Sequence, residues 1–323
     1  MLAVHLEKGK IRLRDAPRPA PRRGFAVIRL LYGGICNTDI ELLRGYYGFR
    51  GTPGHEFVGE VVAGSPALLG RRVVGEINLN CTRCSWCRRG LGRHCPRRAV
   101  LGIVRHPGAF AELLSLPEAN LHVVPAEIPL PHAVFVEPLA AACEIREQVA
   151  IPPGSAVAVL GDGKLGLLVA QVLQASGARV RLFGRHREKI RIAEKAGVAG
   201  EVRRAKFPVA VYDYVVEATG SSEGLAEALR LVRPRGTVVL KSTVHGAVRL
   251  DAAPLVVNEV TVVGSRCGPF RPALELLASG RVRVAEMISE SYPLREAPAA
   301  FRRAQQKGVL KVLLRNTGVS YHA

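Results

Sequence analysis

The sequence lacks long apolar runs and is poor in aromatic residues and in acidic charge. No apolar stretch approaches the roughly 18–20 residues of a membrane-spanning helix. The opening residues, MLAVHLEKGKIRLRD, include the charged residues Glu7 and Lys8. They therefore do not resemble the apolar core of a signal peptide. Apolar residues still make up 48% of the 323, which argues against disorder. We expect a cytoplasmic protein of about two domains, with no membrane partner.

Because acidic residues are few, the chain carries a large positive net charge. Lysine and arginine number 46 against 27 aspartate and glutamate, a net charge of +19, and 37 of the cations are arginine. Nucleic-acid binding is one interpretation, because a basic surface gains affinity by releasing counterions from phosphates. The arginines are scattered, however, and aromatic residues are only 5% of the chain. We therefore favour a generally arginine-rich composition, and we expect no nucleic-acid partner.

Cysteines are few, but four of the seven fall within fifteen positions as C-x2-C-x2-C-x7-C. The four are Cys81, Cys84, Cys87 and Cys95. In a reducing compartment this spacing indicates metal ligation rather than disulfides. Four thiolates enclose a tetrahedral zinc and leave no open coordination position. Neighbouring arginines would offset the resulting negative charge: Arg83, Arg88, Arg89 and Arg93. The cluster thus predicts a structural zinc site without catalysis.

A second zinc site needs a position that is open to substrate. The candidate ligands are Cys36 in GGICNTDI, His55 and Glu56 in PGHEFVGE, and Glu137 in FVEPLAAACE. Thiolate, imidazole and carboxylate together form a reasonable shell for a catalytic zinc. Cys36 and His55 are 19 positions apart and His55 and Glu137 are 82 apart, so spacing alone does not bring these residues together. Taken singly, each is by default a buried core residue rather than a ligand. Spacing therefore leaves this second site open.

A dinucleotide-binding pattern begins near Ser155. A β-branched apolar strand leads into the glycine turn, an apolar-periodic helix runs to Gln174, and a second strand covers residues 179–183. This order of strand, turn, helix and strand is the context that the dinucleotide fingerprint requires. The turn predicts phosphate binding by backbone N–H groups at a helix N-terminus. The cofactor-binding candidates of this turn are Gly161, Gly163, Lys164, Leu165 and Gly166.

The acidic residue that usually binds the ribose hydroxyls is missing at the end of the second strand. The sequence there is Gly184-Arg185-His186-Arg187. A carboxylate repels a 2′-phosphate, whereas an arginine offers it two parallel donors. We therefore favour NADP, with NAD possible, and we take Gly184, Arg185 and His186 as further cofactor-binding candidates. The alternative is that these are solvated arginines in an arginine-rich chain.

Three later segments read as strands of the same sheet: YDYVVEATG (212–220), GTVVLKST (236–243) and VTVVGS (260–265). Helical stretches such as GLAEALRLV separate them. Alternation of strands and helices predicts an α/β domain with a doubly wound parallel sheet.

Together these motifs resemble the zinc-dependent medium-chain dehydrogenase/reductase family, which includes alcohol, sorbitol, threonine and glucose dehydrogenases. The likeness covers nearly the whole chain in one order, through GICNTD, GHEFVGEV, the four cysteines, VEPLA, VLGDGKLG, EATG, VVGS and KVLL. It implies a GroES-like β-barrel catalytic domain over residues 1–140, with the structural-zinc lobe at about 78–98. It also implies a Rossmann domain over residues 141–268. The C-terminal segment over residues 269–323 would return to the catalytic domain. The active site would lie in the cleft between the domains.

The resemblance also assigns roles to the second set of candidates. Cys36 and His55 match two ligands of the catalytic zinc, and Glu137 stands where the family places a third. Glu56 matches a glutamate that is a direct ligand in the polyol and sugar dehydrogenases and stands just behind the metal in other members. Thr38 matches the hydroxyl that hydrogen-bonds the substrate oxygen and relays its proton. Which of the two glutamates completes the shell remains open.

The implied reaction is reversible hydride transfer between an alcohol, polyol or sugar hydroxyl and a nicotinamide cofactor, with one catalytic and one structural zinc per chain. The partners would be a small alcohol or carbonyl substrate and other copies of the chain, as a homodimer or homotetramer. Glu41 replaces a histidine that passes the proton to solvent in many members, so the relay beyond Thr38 is open. Two alternatives are a zinc-independent quinone or enone reductase, whose members usually lack these cysteines, and a non-catalytic zinc protein that binds nucleic acid.

Overall fold

A computed structural model describes residues 1–203, 209–243 and 250–317. Within these ranges no helix is both long enough and apolar enough to cross a membrane. The chain forms two units, one of residues 1–137 with the segment from Ile288 onward and one of residues 138–287. The boundaries expected from the sequence were 140/141 and 268/269, and residues 318–323 of the expected C-terminal segment lie outside the described residues.

The described residues form eighteen strands. In chain order they are β1 (Leu2–Glu7), β2 (Lys10–Asp15), β3 (Phe25–Gly34), β4 (Glu56–Ala63), β5 (Arg72–Gly75), β6 (Asn78–Leu79), β7 (Ala99–Leu101), β8 (Arg105–His106), β9 (Leu113–Pro117), β10 (Leu121–Val123), β11 (Ala156–Leu160), β12 (Arg179–Gly184), β13 (Ala199–Val202), β14 (Tyr212–Glu217), β15 (Val232–Leu240), β16 (Thr261–Gly264), β17 (Ile288–Pro293) and β18 (Lys311–Arg315).

The same ranges contain ten α-helices. They are α1 (Asn37–Leu43), α2 (Ser85–Arg88), α3 (Leu130–Ala133), α4 (Val136–Gln148), α5 (Lys164–Ala175), α6 (Arg187–Lys195), α7 (Gly224–Leu231), α8 (Ala253–Val257), α9 (Phe270–Ala278) and α10 (Ala297–Ala304). Short 3-10 turns lie at Tyr46–Gly48, Gly92–His94, Glu118–Asn120, Ala285–Met287 and Leu294–Glu296.

The first unit is built on a seven-stranded sheet whose central strand is β3. Its order is β10-β5-β4-β3-β18-β17, and β9 also pairs with β3. Strand β3 is apolar along most of its length and lies largely buried, as a central strand requires. Its last residue, Gly34, pairs with Glu56 of β4 on one side and with Leu313 of β18 on the other. The prediction of a GroES-like domain is confirmed.

The second unit contains a six-stranded parallel sheet in the order β13-β12-β11-β14-β15-β16. Counted within the unit, this is the 3-2-1-4-5-6 order of a doubly wound dinucleotide-binding sheet. Residues 157–160 of β11 are buried, because helices cover both faces of such a sheet. The predicted α/β Rossmann fold is therefore confirmed, and the loops at the carboxyl ends of β11 and β12 are where its ligand would bind.

Candidate catalytic centre and nucleotide site

Three of the predicted catalytic ligands lie together in the first unit. One ligand atom each of Cys36, His55 and Glu56 falls within 4.8 Å of the other two. His55 and Glu56 are 3% and 1% exposed, whereas Cys36 is only partly buried. A thiol, an imidazole and a carboxyl group this close together match the donor set of a catalytic zinc. The residues present therefore fit the metal that the sequence predicted.

The sheet and one short helix bring these ligands together from distant parts of the sequence. Cys36 follows β3 and is the N-cap residue of α1, while His55 and Glu56 stand at the start of β4. Because β3 and β4 are antiparallel neighbours, the end of one strand meets the start of the other. At this point a Cβ on Gly34 would lie 2.7 Å from Oε2 of Glu56. The glycine thus leaves room for the glutamate side chain.

Asp39, which the sequence analysis did not single out, lies directly behind the ligands. Its fully buried carboxylate accepts hydrogen bonds from the backbone N–H groups of Cys36 (2.8 Å) and Gly54 (3.1 Å). One of its oxygens is 3.4 Å from Nδ1 of His55, close enough for an ion pair. The alignment does not make a hydrogen bond, so Nδ1 is buried without one. A carboxylate beside a ligating imidazole orients the ring and raises its basicity.

The electrostatics of His55 favour a cation at this position. Burial alone lowers the pKa of His55, but the negative charge of Asp39 and then of Cys36 raises it well above the ordinary imidazole value. Groups that favour a proton on a buried ring also favour a divalent cation in its place. The buried imidazole and the negative groups around it thus support the fit of a metal.

Lys311, a second residue that sequence reasoning missed, is completely buried and forms an ion pair with Glu56. Its Nζ also lies 5.5 Å from the centre of the Phe135 ring. Burial lowers the pKa of Lys311, yet Glu56 and then Cys36 raise it above the usual value for lysine, so the ammonium stays charged. A buried lysine is rare unless it is paired. Lys311 therefore balances part of the negative charge of the ligand set.

The remaining predicted residues lie at different distances from this group. The hydroxyl of Thr38, on the first turn of α1, is 3.8 Å from Sγ of Cys36 and is partly exposed. Glu137 stands in the first turn of α4 and is not a member of the group of three. Glu41 forms an ion pair with Arg44 instead of joining the ligands. Cys36 and Thr38 therefore form the accessible side of the site.

The four predicted structural ligands form a separate cluster. Their sulfur atoms lie within 4.8 Å of one another, with separations of 3.4, 3.8 and 4.0 Å among them. A tetrahedral zinc with bonds of about 2.3 Å places its sulfurs about 3.8 Å apart, so the cluster fits that ion. A hydrogen bond from the backbone of Arg83 lowers the pKa of Cys81 to about 6. Burial and the neighbouring Cys84 raise the pKa of Cys87 to about 12.

The predicted glycine turn lies between β11 and α5 in the second unit. Gly161 has φ of +113°, a conformation that side-chain-bearing residues rarely adopt, and a Cβ there would contact the backbone of Ala218. Gly163 is the N-cap residue of α5, and nothing lies within 4 Å of the position of its missing Cβ. The helix that begins at Lys164 therefore presents unobstructed N–H groups, as a pyrophosphate site requires.

At the end of β12 a carboxylate occupies the place that Gly184 leaves empty. A Cβ on Gly184 would lie 2.5 Å from both Cβ and Oδ2 of Asp162. That same oxygen accepts hydrogen bonds from the backbone N–H groups of Arg185 and His186, each at 2.7 Å. Asp162 is the x residue between the first two glycines of the fingerprint, and its side chain was not considered in the sequence analysis. Its position next to the glycines was the signal that could have found it.

Comparison with known proteins finds two family patterns that match this chain. The pattern described as "Alcohol dehydrogenase GroES-like domain" matches residues 22–126, and "Zinc-binding dehydrogenase" matches residues 165–279. A sorbitol dehydrogenase of Halalkalibacterium halodurans is 27% identical over 95% of this chain and 96% of its own length.

Two solved structures are also similar over nearly the whole chain. A Sinorhizobium meliloti 1021 protein bound to NADP is 32% identical, covering 97% of this chain and 98% of its own, with a TM-score of 0.88. An alcohol dehydrogenase from Thermus sp. ATN1 is 30% identical, covering 98% and 100%, with the same TM-score. The chain belongs to the zinc-dependent medium-chain dehydrogenase/reductase family and is an oxidoreductase of alcohol or polyol hydroxyls.

Proposed function

We propose that this chain oxidises one hydroxyl of a polyol or sugar alcohol to a carbonyl, with reduction of NADP or NAD, and that it catalyses the reverse reduction. The observation that carries the proposal is the group formed by Cys36, His55 and Glu56. The group argues against a zinc-independent quinone or enone reductase, and the glycine turn argues against a protein that only binds nucleic acid.

The proposed ligands of the catalytic zinc are Cys36, His55 and Glu56, and those of the structural zinc are Cys81, Cys84, Cys87 and Cys95. When bound, a catalytic zinc supplies an electrophile that lowers the pKa of an alcohol, and the nicotinamide supplies the hydride acceptor. Glu137 stays a candidate to exchange with water at the fourth position. The role of the protein would be to hold these groups in place. Asp39 lies next to His55, and Lys311 forms an ion pair with Glu56.

Thr38 is the proposed first acceptor of the substrate proton. Its Oγ1 lies beside Cys36 on the accessible side of the site, where an alcohol oxygen could reach it. Removal of the hydroxyl proton leaves the negative oxygen that expels hydride from its carbon, and the carbonyl double bond forms as the hydride leaves. Thr38 would relay this proton by giving up its own hydroxyl proton as it accepts the one from the substrate, and a bound nicotinamide would supply the hydride acceptor.

A polyol is proposed over a simple alcohol because the glutamate joins the cysteine and the histidine. The sequence resemblance links a direct glutamate ligand at this position to polyol and sugar dehydrogenases, and the Halalkalibacterium halodurans relative is named a sorbitol dehydrogenase. Glu56 lies within the ligand group, and Glu137 is not among its members. Both observations support the polyol class.

NADP is the proposed preferred cofactor, and NAD a usable one. The support comes from Arg185 and Arg203, which lie near each other beside Gly184. The backbone N–H of Arg203 donates to the Gly184 carbonyl at 2.7 Å. Burial and then the charge of Arg185 lower the pKa of Arg203, as expected for two cations that share one edge of the sheet. The Sinorhizobium meliloti protein is itself bound to NADP.

Self-association as a homodimer or homotetramer and a cytoplasmic location complete the proposal. Among the described residues, β16 has a paired strand on one side only, and Val256, Val257 and Val262 near it are exposed. An open strand edge with apolar neighbours is suited to pairing with a second copy. The cysteines form no disulfides, which suits a reducing compartment.

The proposal is tested with a panel of polyols, sugars and simple alcohols, assayed with NADP and with NAD after the zinc content has been counted. We expect the highest kcat/KM for a polyol, with two zinc ions per chain. Turnover of none of the panel, by protein that carries both ions and binds cofactor, would contradict the proposed function.

A further inference from the structure

The expected acidic residue at the end of β12 is absent, but an acidic side chain reaches this place from the glycine turn. Asp162 is only 8% exposed, and its Oδ2 would lie 2.5 Å from a Cβ on Gly184. A glycine at residue 184 is therefore what makes room for Asp162. The carboxylate stands where the side chain of the usual acidic residue would begin.

Hydrogen bonds hold this carboxylate in place. The backbone N–H groups of Arg185 and His186 donate to Oδ2, and Nδ1 of the His186 ring lies 3.1 Å from the same oxygen. His186 is the N-cap residue of α6, and the helix has no side-chain cap from its own sequence. Asp162 therefore places a negative charge of the protein itself beside the N-terminus of α6.

The same edge of the sheet also carries cations. Arg185 follows Gly184 directly, and Arg203 donates its backbone N–H to the Gly184 carbonyl. Arg203 forms an ion pair with Glu227. An incoming 2′-phosphate would therefore meet attraction from Arg185 and repulsion from Asp162, and the backbone N–H groups of Arg185 and His186 already donate to Asp162.

We propose that Asp162 is the specificity-determining acidic residue for the adenosine ribose, supplied from the glycine turn in place of residue 184, and that its charge opposes a 2′-phosphate. This inference rests on the proposed binding of a nicotinamide dinucleotide. It would allow one site to accept both cofactors. Arg185 favours the phosphate of NADP, and Asp162 limits that preference.

The test replaces Asp162 by asparagine, which keeps a side-chain oxygen for the two N–H groups and removes the charge. Isothermal titration calorimetry at fixed salt gives the Kd of NADPH and of NADH for the zinc-loaded protein. We expect the Asp162→Asn variant to bind NADPH about tenfold more tightly relative to NADH than the wild type does. An unchanged ratio, or a ratio shifted toward NADH, would overturn the proposal.

A matched control is available within the same sheet. Asp213 also accepts a backbone N–H, that of Ala156 at 2.7 Å, but at the opposite end of β11. Asp213→Asn removes the same charge, and we expect no change in the NADPH to NADH ratio. An equal shift in this control would assign the effect to net charge and overturn the role of Asp162.

A double variant moves the carboxylate rather than removing it. Asp162→Gly combined with Gly184→Asp clears the space and returns an acidic side chain to the strand end. We expect a wild-type NADPH to NADH ratio, and a ratio shifted toward NADPH would contradict the proposal even where Asp162→Asn fails to fold. Failure of the wild type to bind either cofactor would instead overturn the proposed function, and this inference with it.

Discussion

The ammonium group of Lys311 forms an ion pair with the carboxylate of Glu56, and both side chains are at most 1% exposed. The two residues are brought together by β18 and β4, which lie on either side of β3. A Cβ on Gly34 would come within 2.7 Å of the glutamate and 3.2 Å of the lysine side chain. The site therefore contains a buried positive charge among its negative ligands.

Replacement of Lys311 by methionine leaves Glu56 without its partner. Breaking one side of a buried pair costs about 3–5 kcal/mol. We expect a loss of that size in the free energy of unfolding of metal-stripped protein, measured by chemical denaturation. The loss should be smaller with zinc loaded, because the ion compensates the glutamate.

The double variant Lys311→Met with Glu56→Gln serves as the control. It removes both charges, so its loss of stability should be smaller than the sum of the two single losses. Additive losses would show that the ion pair does not stabilise the site.

We expect Asp39 to strengthen zinc binding through its effect on His55. Asp39→Asn should weaken zinc binding about 10–100-fold, because a neutral amide no longer raises the basicity of the imidazole. Chelator competition measures the affinity. Glu41→Gln removes a charge from the same helix at an ion pair with Arg44, and equal weakening by both variants would refute a specific role for Asp39.

Cys95→Ser should remove the structural zinc alone. Cys95 is the buried member of the four-sulfur cluster, and we expect the zinc content to fall by one ion per chain with a lower Tm. Cys143 is also a buried cysteine but lies outside both groups. Its serine variant should keep both ions, and loss of zinc from it would show that metal content does not report on the cluster.

Arg185 is expected to favour the cofactor with the extra phosphate. Arg185→Asp should shift the ratio of kcat/KM values from NADP toward NAD by at least about tenfold, since one attractive charge becomes a repulsive one. Arg181→Gln on β12, where the wild-type residue forms an ion pair with Glu201, should leave the ratio unchanged. A ratio that does not respond to Arg185→Asp would rule out this role.

The fold and the four-cysteine cluster could be predicted from the sequence because each rests on a local pattern. The strand, glycine turn and helix around Gly161 are consecutive in the chain, and so are the cysteines from Cys81 to Cys95. The supporting residues could not be predicted in this way. Lys311 meets Glu56 across 255 positions, and only the register of three strands brings them together.

Asp39 and Asp162 were missed for a different reason. Both lie inside the motifs that were identified, three residues after Cys36 and one residue after Gly161. Their roles depend on the direction of the side chain. The Asp39 carboxylate accepts a hydrogen bond from the backbone N–H of Gly54, and the Asp162 carboxylate accepts one from that of Arg185. A sequence pattern gives the residue type but not that direction.

The most direct test of the account is a zinc count on folded protein, combined with turnover and nucleotide binding. The wild type should hold two zinc ions per chain, and Cys36→Ser or His55→Ala should hold one, with no turnover and unchanged cofactor affinity. Wild-type protein that carries metal only in the four-cysteine cluster, or either variant with comparable activity, would contradict a catalytic zinc at Cys36, His55 and Glu56.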